Sequence, residues 1–473
     1  MREKKTKIIC TISDRRCNRE FLQELYDNGM NVVRINTAHL TPETAINIVE
    51  NTRAVSDKIA ILIDTKGPEV RLTKMENDNG IDVKAGETVT IKGGTAECIS
   101  SRETIYTNYP DFVKDVPVDA EILVDDGDIS MTVIEKNRDT LICRINNDAV
   151  IKSRKSVNVP NVSIKLPALT EKDRTFIEWA IDNDLDFIAH SFVRSAEDLM
   201  EIQKIIDSKN GHIKIISKIE NQEGVDNIDE ILEHCYGVMV ARGDLGVEIA
   251  AEKIPIVQRM LIDKCRARKR PVIIATQMLH TMIENPRPTR AEISDIANAI
   301  FEYTDAIMLS GETANGKYPV EAVQTMTKVA LEVENHHSPE TDIAFKGVTE
   351  RVAVVLAKSI VEASMEMPMK ALLIDTMSGR TGRYLSAFRP NIPVYATCYS
   401  AHVSRELALS YGIYCYYVGD KTNRQDFVQR SARYLCEAKG MSSEDLIGVL
   451  AGSFGHRTGA SFIEISTIEN MMK

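Results

Sequence analysis

Short apolar runs alternate with amphipathic stretches along most of the chain, and the alternation changes character twice. Lys7–Ile12, Asn31–Asn36 and Ile59–Thr65 read as buried strands. Glu20–Asn28 lies between the first two as a helix, with Phe21, Leu22, Leu25 and Tyr26 on one face and Gly29 as its stop. Thr41-Pro42 opens the next helix, a capping hydroxyl followed by proline at the first helical position. From about Val70 to Pro167 the texture shifts to Val, Ile, Thr, Gly and Asp. The short runs Glu87–Lys92, Ile122–Val124, Ser130–Ile134 and Thr140–Ile145 are separated by close turn signals, among them Asp125-Asp126-Gly127-Asp128. That pattern predicts a small inserted all-β domain, a barrel.

The strand–helix alternation resumes at Pro167. Thr170 with Asp173 forms a capping box, and Phe176, Ile177, Ala180 and Ile181 follow as an apolar stripe. Further strands are read at Asp186–Val193, Ile213–Ile219, Gly237–Val240, Pro271–Met278 and Ala306–Ser310. A helix over Val225–Cys235 lies between Ile213–Ile219 and Gly237–Val240, and Ile293, Ile296, Ala297, Ile300 and Phe301 mark an amphipathic helix before the last strand. Outside the insertion there are eight strands, and each but the third is followed by a helical pattern. The fold class expected is therefore α/β: a TIM (β/α)8 barrel with a β domain inserted after its third strand. Glu334–Ala344 reads as a polar linker. Beyond it, Met369–Thr376, Ile392–Thr397, Tyr414–Val418 and Leu446–Leu450 alternate with helices as a C-terminal α/β domain. The expected division is 1–67 and 167–337 for the barrel, 68–166 for the insertion and 345–473 for the C-terminal domain.

Composition narrows the class without naming a chemistry. The 473 residues are 43% apolar and 27% charged, with a formal net charge of −11, which argues against nucleic acid as a partner. No apolar run approaches the ~18 residues of a membrane span. MREKKTKIIC lacks a signal-peptide core, and nine scattered cysteines without CxxC spacing suit reduced thiols, so a cytoplasmic location is expected.

Candidate chemistry gathers at the ends of the barrel strands. Lys218 and Glu220 share a face at the end of one run, because side chains alternate with period two. The next run ends in Arg242-Gly243-Asp244-Leu245-Gly246, read as a tight turn carrying an aspartate. Two carboxylates suit Mg2+, which keeps much of its hydration, and a nearby lysine suits a phosphate or a developing oxyanion. In a TIM barrel the site lies at the C-terminal strand ends. Arg34, Asn36, Asp64, Lys218, Glu220, Asp244, Thr276 and Ser310 all fall there. Read alone, Lys218, Glu220 and Asp244 are as consistent with strand-end ion pairs as with a site, but the coincidence of all eight at strand ends is stronger than any one of them.

Seven segments in order carry a specific resemblance: NVVRINTAH (31–39), DTKGPEVR (64–71), SKIE (217–220), ARGDLG (241–246), ATQML (275–279), NPRPTRAE (285–292) and MLSGETA (308–314). Along essentially its full length the chain resembles the pyruvate kinases. The resemblance implies Mg2+-dependent phosphoryl transfer from phosphoenolpyruvate to ADP, giving pyruvate and ATP. It implies Glu220 and Asp244 on Mg2+, Lys218 on the transferring phosphoryl group and enolate, and Arg34 on phosphate. Gly243 and Asp244 would meet the substrate carboxylate through their backbone. Thr276 and Ser310 fall in the proton relay to the enolate carbon, and Arg71, Lys155 and His39 on the nucleotide side, although His39 alone reads as a packing residue. Asn36, Asp64 and Thr65 match potassium ligands. Thr376, Ser378, Gly379 and Thr381 match a phosphate-gripping effector loop for a sugar phosphate or nucleotide, with a second small-residue loop at Ala451–Gly455. A homotetramer is implied as well.

The chain also departs from the family pattern. Ser13-Asp14-Arg15-Arg16 stands where a Gly-Pro-Ala-Ser run is usual, and Ala38 replaces a serine that ligates potassium. Glu69, in contrast, accompanies potassium dependence in the family, so a weaker K+ activation is expected. Two other readings share part of the pattern. One is a different Mg2+-dependent barrel enzyme acting on oxaloacetate or pyruvate, which would not need Arg71, Lys155 or the β domain. The other is a catalytically weak homologue that senses metabolites.

Overall fold

The computed structural model describes residues 3–347, 350–421, 423–452 and 459–473. Eight parallel strands close into a barrel: Lys7–Thr11, Val32–Asn36, Ala60–Asp64, Phe187–His190, Lys214–Ile219, Gly237–Ala241, Val272–Ala275 and Ala306–Leu309. Both faces of these strands are buried, so they read as continuous apolar runs. Alternation divides each run between two cores. Ile9, Val32, Leu62, Phe187, Ile216, Met239, Ile273 and Met308 point inward and fill the barrel. Ile8, Val33, Ile61, Ile188, Ile215, Val238, Ile274 and Ile307 point outward and pack beneath the surrounding helices. The capping signals act as read: Thr41 precedes Pro42–Val55, and Thr170 and Asp173 form a reciprocal box at Glu171–Asp182.

Several local expectations are corrected. The helix expected over Val225–Cys235 is two short helices, Gln222–Asp226 and Ile228–His234, broken at Asn227. Gly224 is required in the first, because a Cβ there would lie 2.5 Å from the Val193 carbonyl oxygen. Arg242–Glu248 is a helix, not a tight turn. The seventh strand stops at Ala275, and Thr276 and Gln277 leave it with φ of 69° and 56°. Phe301 closes the helix Arg290–Phe301 on its exposed side rather than in the apolar stripe.

The insertion forms a six-stranded sheet in the order Val157–Asn158, Glu121–Val124, Ile129–Lys136, Leu141–Ile145, Thr88–Gly93 and Ile105–Thr107. Its edges meet through single bridges, Arg71 to Ser156 and Leu72 to Thr107, which close the sheet around its own core. Asn158 Nδ2 donates to Glu248 Oε1 at 2.9 Å, and Ser163 Oγ to Glu223 Oε2 at 3.0 Å, so the inserted sheet rests on the barrel mouth.

The C-terminal sheet runs Ile413–Tyr417, Val394–Cys398, Ala371–Thr376, Leu446–Gly452 and Ala460–Thr467. The last strand pairs antiparallel and was not anticipated, because its side chains are mostly half-buried and its apolar signal is diluted. This sheet is joined to the barrel floor by buried charge. The segment read as a linker begins inside a helix, and Glu334 accepts hydrogen bonds from the Lys5 and Thr6 amides and the Thr6 hydroxyl. Arg405 Nε donates to Asp186 Oδ1 at 2.5 Å. Asp305 receives both terminal nitrogens of Arg389 at 2.9 Å, together with the Tyr411 and Val272 amides. Arg389 is 1% exposed.

Replacing Asp305 with Asn leaves that guanidinium buried without a counter-charge. We expect a loss of about 3–5 kcal/mol in unfolding free energy, read from urea unfolding midpoints. An unchanged midpoint would show that Asp305 does not anchor the junction.

Candidate active site

Inward parity continues past the apolar layers and delivers a polar one at the C-terminal rim. Thr11 follows Ile9, Arg34 follows Val32, Asp64 follows Leu62, Ser191 follows Ala189, and Lys218 follows Ile216. All but Arg34 are buried, and these five side chains meet. Lys218 Nζ lies 3.1 Å from Asp64 Oδ1 and 2.9 Å from Glu220 Oε1, and it donates to Ser191 Oγ at 2.7 Å. Arg34 Nε donates to Asp64 Oδ2 at 2.7 Å, and its Nη1 to Thr11 Oγ1 at 2.9 Å. Ser191 Oγ donates to the Thr65 carbonyl at 2.6 Å. Gly67, with φ of 70°, passes so close to this corner that a Cβ would meet Ser191 Cβ at 2.8 Å.

The electrostatics follow from burial and an uneven count of charges. Burial opposes the Lys218 ammonium, but Asp64 and Glu220 outweigh it and hold its pKa above the ordinary value. Burial also works against the Asp64 carboxylate, yet Arg34 and Lys218 pull its pKa below the usual range. Glu220 fares differently. Burial pushes it up to about 7; Lys218 opposes this, and Asp244 adds to it. Asp244 is raised too, by burial first, with Lys218 opposing and Asp126 and Glu69 of the inserted domain adding. Lys218 and Glu220 touch, yet both are raised: at the ammonium Asp64 and Glu220 together outweigh burial, whereas at Glu220 burial outweighs the ammonium that it shares with Asp64. Three carboxylates face two cations.

That imbalance is what a divalent cation would relieve. Among the described residues no group of three or more His, Cys, Asp and Glu side chains forms a metal cage. Glu220 and Asp244, each short of positive charge, supply two carboxylates, the small protein share that suits a hydrated Mg2+. The potassium set is less open. Asn36 Oδ1 accepts from the Ala38 amide, Asp64 is engaged by Arg34 and Lys218, and the Thr65 carbonyl accepts from Ser191.

The remaining rim residues are brought close, each already partnered. Thr276 Oγ1 accepts from the Gly243 amide at 2.8 Å and donates to the Ala275 carbonyl at 2.6 Å. The Gly243 N–H, expected to face a substrate carboxylate, is therefore turned to Thr276. The Ser310 amide donates to Glu312 Oε2 at 2.8 Å, and Glu312 also accepts from the Leu279 amide. In the inserted domain Arg71 grips both Glu69 oxygens at 2.7 and 2.8 Å, and Lys155 Nζ pairs with Asp125 Oδ1 at 2.8 Å. His39 is exposed in a single turn after the second strand. In the C-terminal sheet Thr376 Oγ1 accepts from the Gly379 amide at 2.9 Å, which closes the loop at the start of Arg380–Ala387. Ser378 is exposed there, and Thr381 is buried. In the second small-residue loop, Ser453–Gly455 lie outside the described residues.

Three residues were not singled out from sequence. Ser191 sits one residue past an apolar strand, and its inward parity was the available signal. Glu312 ties the seventh and eighth strand-end loops together, and Arg242 holds Asp295 and the Thr276 carbonyl. Apart from the Ser310 amide, their partners are distant in sequence, so spacing carried little sign of them.

Comparison with known proteins agrees with this geometry. The sequence model described as "Pyruvate kinase, barrel domain" matches residues 3–323, and "Pyruvate kinase, alpha/beta domain" matches 355–466. The chain is 48% identical to a pyruvate kinase of Borreliella burgdorferi, over all of this chain and 99% of that protein. It is 45% identical to one of Geobacillus stearothermophilus, over 87% of this chain and 71% of that protein. The crystal structure of a pyruvate kinase from Cryptosporidium parvum superposes with a TM-score of 0.92 at 34% identity, covering 98% of this chain and 96% of the other. With the barrel, the C-terminal sheet and the full-length identity in agreement, the chain belongs to the pyruvate kinase family.

Proposed function

We propose that the rim centred on Lys218 transfers the phosphoryl group of phosphoenolpyruvate to ADP, giving pyruvate and ATP. The observation that carries this reading is the buried ammonium shared by Asp64 and Glu220, with Asp244 adding to the negative field around it. The family uses Mg2+ and K+, and its reaction is that of a phosphotransferase. Phosphoryl transfer needs mainly positioning and neutralisation of charge. Lys218, fixed by three partners, neutralises the phosphoryl oxygens in flight and then the enolate oxygen left behind. Arg34, with one edge held by Asp64 and Thr11, keeps further N–H donors for phosphate. Glu220 and Asp244 would hold Mg2+, which supplies charge neutralisation to substrate oxygens. Arg71 and Lys155, set in the inserted domain, would exchange their carboxylate partners for nucleotide phosphates as that domain closes, and the exposed His39 would join them from the barrel. Closure would exclude water from the transfer. For the proton that makes pyruvate, the Thr276 hydroxyl must turn from the Ala275 carbonyl. A neutral hydroxyl is a poor acid, so water would stand between Thr276, Ser310 and the carbon.

The division into barrel (1–67 and 167–337), lid (68–166) and C-terminal domain (345–473) is proposed on the same footing. So are a homotetramer and a cytoplasmic location; among the described residues no helix is long and apolar enough to cross a membrane. Asn36, Asp64 and Thr65 are proposed to hold K+ with water in place of the hydroxyl that Ala38 lacks. Thr376, Ser378, Gly379 and Thr381 are proposed to grip the phosphate of a sugar-phosphate or nucleotide effector.

Three outcomes test this reading. Pyruvate release from phosphoenolpyruvate with Mg2+ should require ADP, yield matching ATP, and rise modestly when potassium replaces sodium. Pyruvate without ADP would reject the reaction, and full activity in potassium-free buffer would reject the K+ site. Glu220→Gln should raise the Mg2+ concentration for half-maximal rate by about tenfold or more, and an unchanged Mg2+ titration would remove Glu220 from the metal. Ser378→Ala with Thr381→Ala should shift the response to phosphorylated effectors and spare the maximal rate. Lost turnover with an unaltered effector response would count against the loop.

A further inference from the structure

The N-terminal face of the barrel, opposite the catalytic rim, carries a hollow of about 140 Å3 where three stretches meet. Arg268, Lys269 and Arg270 come from the connection into the seventh strand. Lys346 comes from the segment leading to the C-terminal domain, and Arg380 and Arg383 from the helix Arg380–Ala387. In a chain of net charge −11, six cations around one hollow are not explained by composition. Glu233 is the one carboxylate in the lining.

The cations are only partly neutralised. Arg268 is paired with Asp229 and Glu233, and Arg380 with Glu350. Among the described residues no carboxylate lies within ion-pair distance of Lys269, Arg270, Lys346 or Arg383. Neutral groups orient three of these four. Lys269 Nζ donates to the carbonyls of Lys346 at 2.8 Å and Gly347 at 3.3 Å, and Arg270 Nε to the Leu232 carbonyl at 3.2 Å. Arg383 Nη1 donates to the Ser378 carbonyl at 3.3 Å, and its guanidinium lies over the Tyr236 ring at 5.3 Å. Holding them together is unfavourable: burial, with Arg270 next, pushes Lys269 down to about 8.

We propose that this hollow binds a small phosphorylated anion and that its occupant ties the barrel to the C-terminal domain. Arginine forks match phosphate oxygens two at a time, and a cation excess of this size calls for a multivalent anion, not a single carboxylate. The volume is well below the ~300 Å3 of a drug-sized pocket, which limits the occupant to a phosphate or pyrophosphate with at most a few carbons. The site is separate from the catalytic rim. The sixth strand runs from Gly237 on this face to Ala241, a rise of about 13 Å at ~3.3 Å per residue, before Asp244 is reached. The hollow borders the proposed effector loop through Arg380 and the Arg383–Ser378 contact, but Thr376, Ser378, Gly379 and Thr381 do not line it. The barrel supplies three of the cations and the C-terminal helix two, so an anion between them removes a repulsion across the domain junction.

Calorimetric titration of the full chain with pyrophosphate and with glycerol phosphate, at fixed ionic strength in chloride, tests the site. Saturable binding of either is expected, and the pair separates an inorganic from an organic occupant. Arg270→Gln and Arg383→Gln should each weaken binding about tenfold, the effect of one charge-assisted hydrogen bond, while maximal turnover is retained. Ser378→Ala should leave this affinity unchanged. If either arginine variant fails to fold by thermal melting, Lys346→Gln takes its place. Absence of saturable binding at millimolar concentrations, or undiminished binding by the folded variants, overturns the proposal. Binding lost in Ser378→Ala but kept in Arg270→Gln would move the anion to the other loop and overturn it equally.

Discussion

Closure of eight parallel strands is the constraint on which the rest depends. A closed barrel has no edge and no solvent face, so each strand must be apolar on both sides, and alternation sends every second residue to the axis. Once Ile9, Val32, Leu62 and Ile216 fill the interior, the next inward positions have no choice of direction. Thr11, Arg34, Asp64, Ser191 and Lys218 converge because their strands do. Lys218 therefore inherits its place from packing several residues away, and a one-residue slip of its strand would turn it to the helices.

Convergence creates a charge problem that the site turns to use. Asp64 is claimed by Arg34 and Lys218, and Lys218 by Asp64 and Glu220, which leaves Glu220 and Asp244 short of positive charge. The inserted domain adds Glu69 and Asp126 to the same field. Its own cations, Arg71 and Lys155, meanwhile rest on Glu69 and Asp125. Both halves of the cleft thus hold their charges in ion pairs on a fixed backbone, an arrangement that needs little rearrangement to act on further charge.

The opposite end of the barrel is closed by other means. Leu409 and Ala408 of the C-terminal domain seal the interior core from below, and Asp186 and Asp305 clasp that domain through buried hydrogen bonds to Arg405, Arg389 and Tyr411. A junction built this tightly leaves the adjacent basic hollow as the place where charge across it stays uncompensated.

Strand count, the place of the insertion and the rim positions of Arg34, Asp64, Lys218 and Glu220 were legible along the chain, because period-two burial and capping chemistry are local. Thr41, Thr170 and Asp173 behave in the fold as their spacing demands. What only the tertiary structure decided depends on partners far apart in sequence. The Gly243 amide meets Thr276 across two strands, which also accounts for the early end of the seventh strand at Ala275. Glu312 joins two loops, and Ser191 completes the Lys218 cradle from the fourth strand. The helix Arg242–Glu248 overrides glycines that spelled a turn, because packing of the buried Leu245 against the outer core outweighs their weak helix propensity. Strand and rim follow from the order of residues. Which hydroxyl, carboxylate or amide each rim residue meets follows only once the barrel has closed.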